Sequence, residues 1–193
     1  MIRFFISFLF CFSILACDDD SSTSIEYVDL NDTTFAYLKP LTLDVDRDGA
    51  ADFNFTTSLS AGSGESQINF LMTSIGAHRV AFDTLAEKIP VYSEGSEIGN
   101  VLPPHQQWDA LANYLGEKHY YGSTDSVWFG DFVMTEKPFV AFSLYKNVEP
   151  YFGPVPYFGW IHLTFDTVQA RVILHEYAYQ TEPNISIKAG ETK

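Results

Sequence analysis

The feature that most restricts the fold of this chain is an apolar side chain at every second residue. Leu41, Leu43 and Val45 alternate with Thr42, Asp44 and Asp46. Phe53, Phe55 and Leu59 stand among Asp52, Asn54, Thr56 and Ser58. The pattern returns at Ile68, Phe70 and Met72, at Val80 and Phe82, at Val140, Phe142 and Leu144, and at Ile161, Leu163 and Phe165. A period of two puts alternate side chains on opposite faces of a strand, one buried and one solvated. Ala61-Gly62-Ser63-Gly64 and Gly153-Pro154-Val155-Pro156 supply turn punctuation. Many short strands so separated predict an all-β fold, an antiparallel β-sandwich of jelly-roll type. One segment departs from the rule. After Pro103-Pro104, Trp108, Leu111, Ala112 and Leu115 fall at i, i+3, i+4 and i+7, with Gly116 able to stop the turn. That spacing predicts a single short helix covering an end or face of the sheets. No internal repeat or second domain is visible, so residues 25–193 are expected to form one sandwich.

The N-terminal residues follow other rules. Met1-Ile2-Arg3 precedes a run that is apolar from Phe4 to Ala16 except at Ser7, Cys11 and Ser13. One positive charge and a short apolar core predict a secretory signal over residues 1–16. A spanning helix needs roughly 20 apolar residues, more than this run offers. Ile14-Leu15-Ala16-Cys17 resembles the bacterial lipobox. The resemblance implies that Cys17 is acylated, becomes the first mature residue and anchors the protein to a membrane. The alternative is an ordinary signal peptide that happens to contain a cysteine. Each buried methylene contributes about 0.8 kcal/mol, so several acyl chains hold firmly where one binds reversibly. Asp18-Asp19-Asp20-Ser21-Ser22-Thr23-Ser24 completes a lipidated acidic tether over residues 17–24. Its composition buries too little surface to fold, and seven residues reach about 24 Å. The acidic run resembles the surface-export signal of certain Gram-negative lipoproteins. In other groups an aspartate after the cysteine retains the protein at the inner membrane. The reading favours the outer membrane or cell surface.

Charge narrows the partners. The chain has 25 acidic against 11 basic side chains and a net charge of −14. Nucleic acid demands a cationic footprint, so it is excluded as a partner. Anionic headgroups are disfavoured too, which leaves cations, neutral glycans or proteins. Cys11 would leave with the signal and Cys17 would be consumed by lipid. The mature domain would then hold neither thiol nor disulfide and would depend on core packing and, where present, a metal.

Asp44-Val45-Asp46-Arg47-Asp48-Gly49-Ala50-Ala51-Asp52 reads D-x-D-x-D-G-x-x-D. Calcium takes six to eight oxygen ligands, and carboxylates at positions 1, 3 and 5 converge on it when the chain turns sharply. Gly49 permits that turn. The expected ligands are Asp44, Asp46, Asp48, the carbonyl of Ala50, and Asp52 directly or through water. Position 12 is Phe55 rather than a glutamate, and strands rather than helices flank the loop. The motif therefore looks more like the calcium loops of dockerins and thrombospondin-type repeats than like an EF-hand. The competing reading is an aspartate-rich hairpin turn without metal.

Near the C-terminus stand Tyr157-Phe158-Gly159-Trp160-Ile161-His162-Leu163, Glu176-Tyr177-Ala178-Tyr179-Gln180 and Ile187-Lys188-Ala189-Gly190. With the aspartate loop, this order resembles a class of exported bacterial β proteins, many of which carry a PEP-CTERM sorting tail. The likeness covers both ends of the domain and leaves roughly residues 60–135 unmatched. It implies an extracytoplasmic β-sandwich and no particular activity.

Catalytic constellations are weak. His175-Glu176 begins like the zinc-protease H-E-x-x-H, yet Tyr179 occupies the second histidine position. His78, His105, His119, His162 and His175 show no ligand spacing, and no G-x-S-x-G occurs. The preferred expectation is a non-enzymatic surface or periplasmic lipoprotein with a structural calcium loop. A carbohydrate-binding module is the second, with Tyr120, Tyr121, Trp128 and Trp160 as candidates to stack on sugar rings. A hydrolase with an unrecognised site is the third.

Overall fold

A computed structural model describes residues 24–62, 65–111, 113–121 and 125–193. The expected signal, Cys17 and nearly all of the expected tether lie outside these residues. Strands β1 (Ile25–Ala36), β2 (Leu41–Leu43), β3 (Phe53–Ala61), β4 (Glu65–Ser74) and β5 (Arg79–Asp83) come first. Then follow β6 (Glu97–Ile98), β7 (Gln106–Asp109), β8 (Asn113–Tyr121), β9 (Asp125–Phe129) and helix α1 (Asp131–Met134). The chain ends with β10 (Phe139–Asn147), β11 (Pro154–Asp166), β12 (Arg171–Gln180) and β13 (Ile187–Lys188). One sheet has six strands in the order β1-β12-β11-β10-β5-β7, and the other five in the order β2-β3-β4-β8-β9. Every paired strand runs antiparallel to its neighbour. The fold is an all-β sandwich with one short helix.

The alternating residues form the layer between the sheets. Phe53, Phe55, Phe70 and Met72 face Phe142, Leu144, Ile161, Leu163, Val172 and Leu174 in one buried cluster. A fully buried phenylalanine side chain contributes roughly 1.5–3 kcal/mol, so this row dominates the stability of the fold. Rings meet edge-on or tilted, as at Phe53–Phe142 with centroids 5.2 Å apart, the arrangement that aromatic quadrupoles favour.

The six-stranded sheet is covered on its other face as well. Phe139, Ala141, Phe158, Trp160 and Ala178 pack against Tyr92, Ile98, Ile187 and Ala189 in a second buried cluster. β6 and β13 pair with each other over that face. This explains why β10 is buried from Phe139 to Leu144 without alternation, since a strand enclosed on both sides reads as a continuous apolar run. Gly159 of β11 is required on the inner face of the sheet, because it pairs with Phe142 and a Cβ there would stand 2.2 Å from the Phe142 ring and 2.6 Å from the Ala178 carbonyl.

The expected helix over residues 108–116 is not there. Residues 106–109 are β7 on the six-stranded sheet, and residues 113–121 are β8 on the five-stranded one. The helical spacing arises where the chain crosses between sheets. Trp108 stacks on Phe158 beneath one sheet, Leu111 is exposed, and Leu115 joins the core of the other. Gly116 lies at a register shift between β4 and β8 rather than ending a helix. The short helix is α1, a single turn that buries Phe132.

Candidate functional site

The aspartate loop connects β2 to β3. Arg47 and Gly49 take left-handed backbone conformations, with φ 58° and 93°, which fold the loop back over itself. Backbone donors then capture one oxygen of each early aspartate. The Gly49 N–H donates to Asp44 Oδ2 at 2.9 Å, the Asp48 N–H to Asp46 Oδ1 at 3.2 Å, and the Ala50 N–H to Asp48 Oδ1 at 2.8 Å. These bonds bring Asp44, Asp46 and Asp48 together, with one carboxylate oxygen from each lying within 4.8 Å of the others. Asp44 Oδ1 is buried and has no hydrogen-bond partner. A buried carboxylate oxygen without a donor is costly, and a hard cation would satisfy it. The trio therefore fits calcium on geometry and donor chemistry.

Two features modify the expected ligand set. Lys146 Nζ from β10 lies 2.9 Å from Asp46 Oδ2, and its ammonium also sits over the Tyr157 and Tyr179 rings. One oxygen of the trio thus already faces a protein cation. Asp52 stands apart. It is almost fully buried, its Oδ2 accepts the Val45 N–H at 2.7 Å, and its Oδ1 lies 2.9 Å from His78 Nε2. The Asp52 N–H also donates to the Leu43 carbonyl, closing the hairpin. Burial pushes its carboxyl up, but the His78 and Val45 hydrogen bonds outweigh it and hold it below the usual carboxylate range. His78 Nδ1 accepts the Tyr145 N–H at 3.0 Å, so the ring proton facing Asp52 sits on Nε2. Val45, Asp52, His78 and Tyr145 form a polar chain from the loop to the opposite sheet. Ala50 follows Gly49 within the loop.

A second polar group, unsuspected from the sequence, lies on the outer face of the six-stranded sheet. A register shift at His162/Leu163 places His175 and Glu176 beside His162, the re-aiming that a β-bulge produces. The two imidazoles lie against each other at a tilt of 34°, with centroids 4.6 Å apart. His175 Nδ1 is 2.6 Å from Asp32 Oδ1, and its Nε2 is 2.8 Å from Thr164 Oγ1. Tyr27 donates to Glu176 at 2.6 Å, which pushes its hydroxyl up to about 12. His162 Nδ1 lies 3.4 Å from Glu176, too long for a good hydrogen bond, and both its ring nitrogens are buried without a partner. Burial, then the neighbouring His175, pushes the His162 imidazole below its ordinary 6.5. These groups fasten β1 to β12. A legible signal would have been the bulge, which cannot be inferred without knowing the strand pairing.

The aromatic candidates separate. Trp160 is fully buried and its Nε1 donates to the Glu191 carbonyl, so it has no face for a sugar. Trp128 packs between Phe70 and Phe165, and Tyr120 lies under Lys118. Tyr121 is exposed. It shares the outer face of β8 and β9 with His119 and with exposed Phe129, whose ring meets His119 at 4.8 Å. Ser60, Glu65, Ser66, Gln67 and His119 line a shallow pocket beside it.

Comparison of the chain with known protein families, with curated proteins and with solved structures found no match.

Proposed function

We propose that this protein is a non-enzymatic, lipid-anchored lipoprotein of the bacterial outer membrane or cell surface, with calcium in the Asp44–Asp48 loop stiffening its β-sandwich. The anchor rests on the Ile14-Leu15-Ala16-Cys17 sequence. The calcium reading is supported by the convergence of three carboxylates, one of which, Asp44, carries a buried oxygen without a hydrogen-bond partner. The ion would be held by Asp44, Asp46, Asp48, the Ala50 carbonyl and water, and would supply charge neutralisation. Asp52 locks the hairpin beneath it. With three carboxylates, one of them shared with Lys146, affinity belongs with extracellular modules, at dissociation constants of about 10⁻⁴–10⁻³ M. A ligand that binds only the folded state raises stability by mass action, about 2.7 kcal/mol at one hundred times its dissociation constant. Thermal unfolding in EDTA and in excess calcium tests this. The melting temperature should rise with calcium in the parent and stay flat in Asp44→Asn; identical parent curves would remove the metal.

Carbohydrate binding is the second reading, favoured by the open aromatic face of Tyr121 and Phe129 beside the polar pocket. Glycan-array binding abolished by Tyr121→Ala or Phe129→Ala would support it.

A further inference from the structure

The connection between β10 and β11 ends in an apolar tip. Phe152 is completely exposed there, and Tyr151 and Val148 are exposed beside it. The Tyr151 N–H donates to the Val148 carbonyl at 2.9 Å, so the tip is a closed turn. Strand register fixes where it points. Ile25 stands opposite Gln180, and Gly159 opposite Tyr179, which puts Ile25, Gln180 and Phe158 at one level of the sheet. β1 and β11 are both antiparallel to β12 and therefore run in the same direction. The chain preceding Ile25 leaves the sheet at the end from which the hairpin projects. Pro154, where β11 begins, lies four positions ahead of Phe158, roughly 14 Å beyond that level at about 3.4 Å per residue, and the turn carries Phe152 past it. Cys17 lies eight positions ahead of Ile25, a reach of roughly 27 Å at most.

We propose that this hairpin tip is a second membrane contact, in which Phe152 and Tyr151 enter the surface of the bilayer that holds Cys17. The inference rests on the lipid-anchor reading. The tether is long enough to let the tip touch the bilayer and too short to carry it far away. Aromatic side chains settle at the boundary between headgroups and acyl chains. With a net charge of −14 and an exposed Glu149 in the turn itself, the surface that fits is zwitterionic rather than anionic. Val168 provides an internal control. It is equally bare but caps the β11–β12 connection, at the opposite end of the same strands.

The described structure begins at Ser24, so a chain starting at Cys17 keeps every contact reported above, and Cys17 is its one thiol. Coupling that thiol to a maleimide phospholipid in phosphatidylcholine vesicles fixes the anchor independently of the cell. An indole introduced by Phe152→Trp should then emit at shorter wavelength and lose most of its intensity when the acyl chains are brominated. Val168→Trp should do neither, after subtraction of the parent emission. An unquenched Phe152→Trp protein would overturn the contact. So would a sedimenting dimer dissolved by Phe152→Asp, which would give the tip to a second copy of this chain. Mass spectrometry of Cys17 from cells tests the anchor itself, so failure of the anchor and failure of the tip are read separately.

Discussion

Replacing Asp52 with alanine distinguishes a buried structural carboxylate from a metal ligand. The side chain is only 3% exposed, so solvent offers its partners little compensation. Asp52→Ala removes the acceptor of the Val45 N–H at 2.7 Å and of His78 Nε2 at 2.9 Å. Hydrogen bonds to a charged group contribute about 1.5–3 kcal/mol each, and a buried donor left unpaired costs about 1–3 kcal/mol. His78 cannot easily recover by shifting its proton, because Nδ1 must remain an acceptor for Tyr145. The terms overlap, and the expected loss is about 3–5 kcal/mol, the usual cost of breaking a buried polar pair by removing one partner. In a domain of this size one kcal/mol moves the melting temperature by roughly 2–4 °C, so the transition should fall by roughly 6–20 °C. Urea unfolding followed by tryptophan fluorescence, in EDTA and in excess calcium, provides the measurement. The midpoint should drop by the same amount in both buffers, with an unchanged slope, and the calcium response should survive. A variant nearly as stable as the parent in EDTA but deaf to calcium would refute the reasoning and return Asp52 to the metal.

Other perturbations test separate parts of the architecture. Gly159→Ala should destabilise by about 1–3 kcal/mol or more through overpacking, measured by chemical denaturation, because the new Cβ has no room beside Phe142 and the Ala178 carbonyl. Trp160→Ala should cost about 3–5 kcal/mol as a core cavity, while Tyr121→Ala should leave the midpoint nearly unchanged. His162 has a folded pKa below its unfolded value of 6.5, so the unfolded chain binds more protons just below that pH. Its contribution to stability is fully present above 6.5 and declines as pH falls through the folded pKa; His162→Phe should flatten this part of the stability–pH curve.

The sandwich was legible because its interior strands obey period two wherever one face meets the other sheet, as at Phe53, Phe55, Phe70 and Met72. Legibility failed where a sheet is covered twice. Trp160 could be named only as one of several candidate stacking aromatics, because nothing in the sequence shows that β6, β13 and the residues around Tyr92 close its side of the sheet. The segment from Trp108 to Leu115 imitated a helix because a short strand of one sheet, ending at Asp109, is followed in sequence by a strand of the other that starts at Asn113. In the loop, spacing predicted the meeting of Asp44, Asp46 and Asp48. It gave no warning that Asp52 would turn inward, since that depends on His78, twenty-six positions away. The His162–His175 contact was hidden likewise, because it depends on the register shift between β11 and β12.

Among the described residues β1 pairs with β12 alone, and this governs the order in which the molecule can be completed. Ile25 meets Gln180 across almost the whole domain, so a chain emerging N-terminus first has no partner for its opening strand until the final segments arrive. Long-range closure of this kind is slow. Until the C-terminal strands are made, the first strand keeps an open hydrogen-bonding edge.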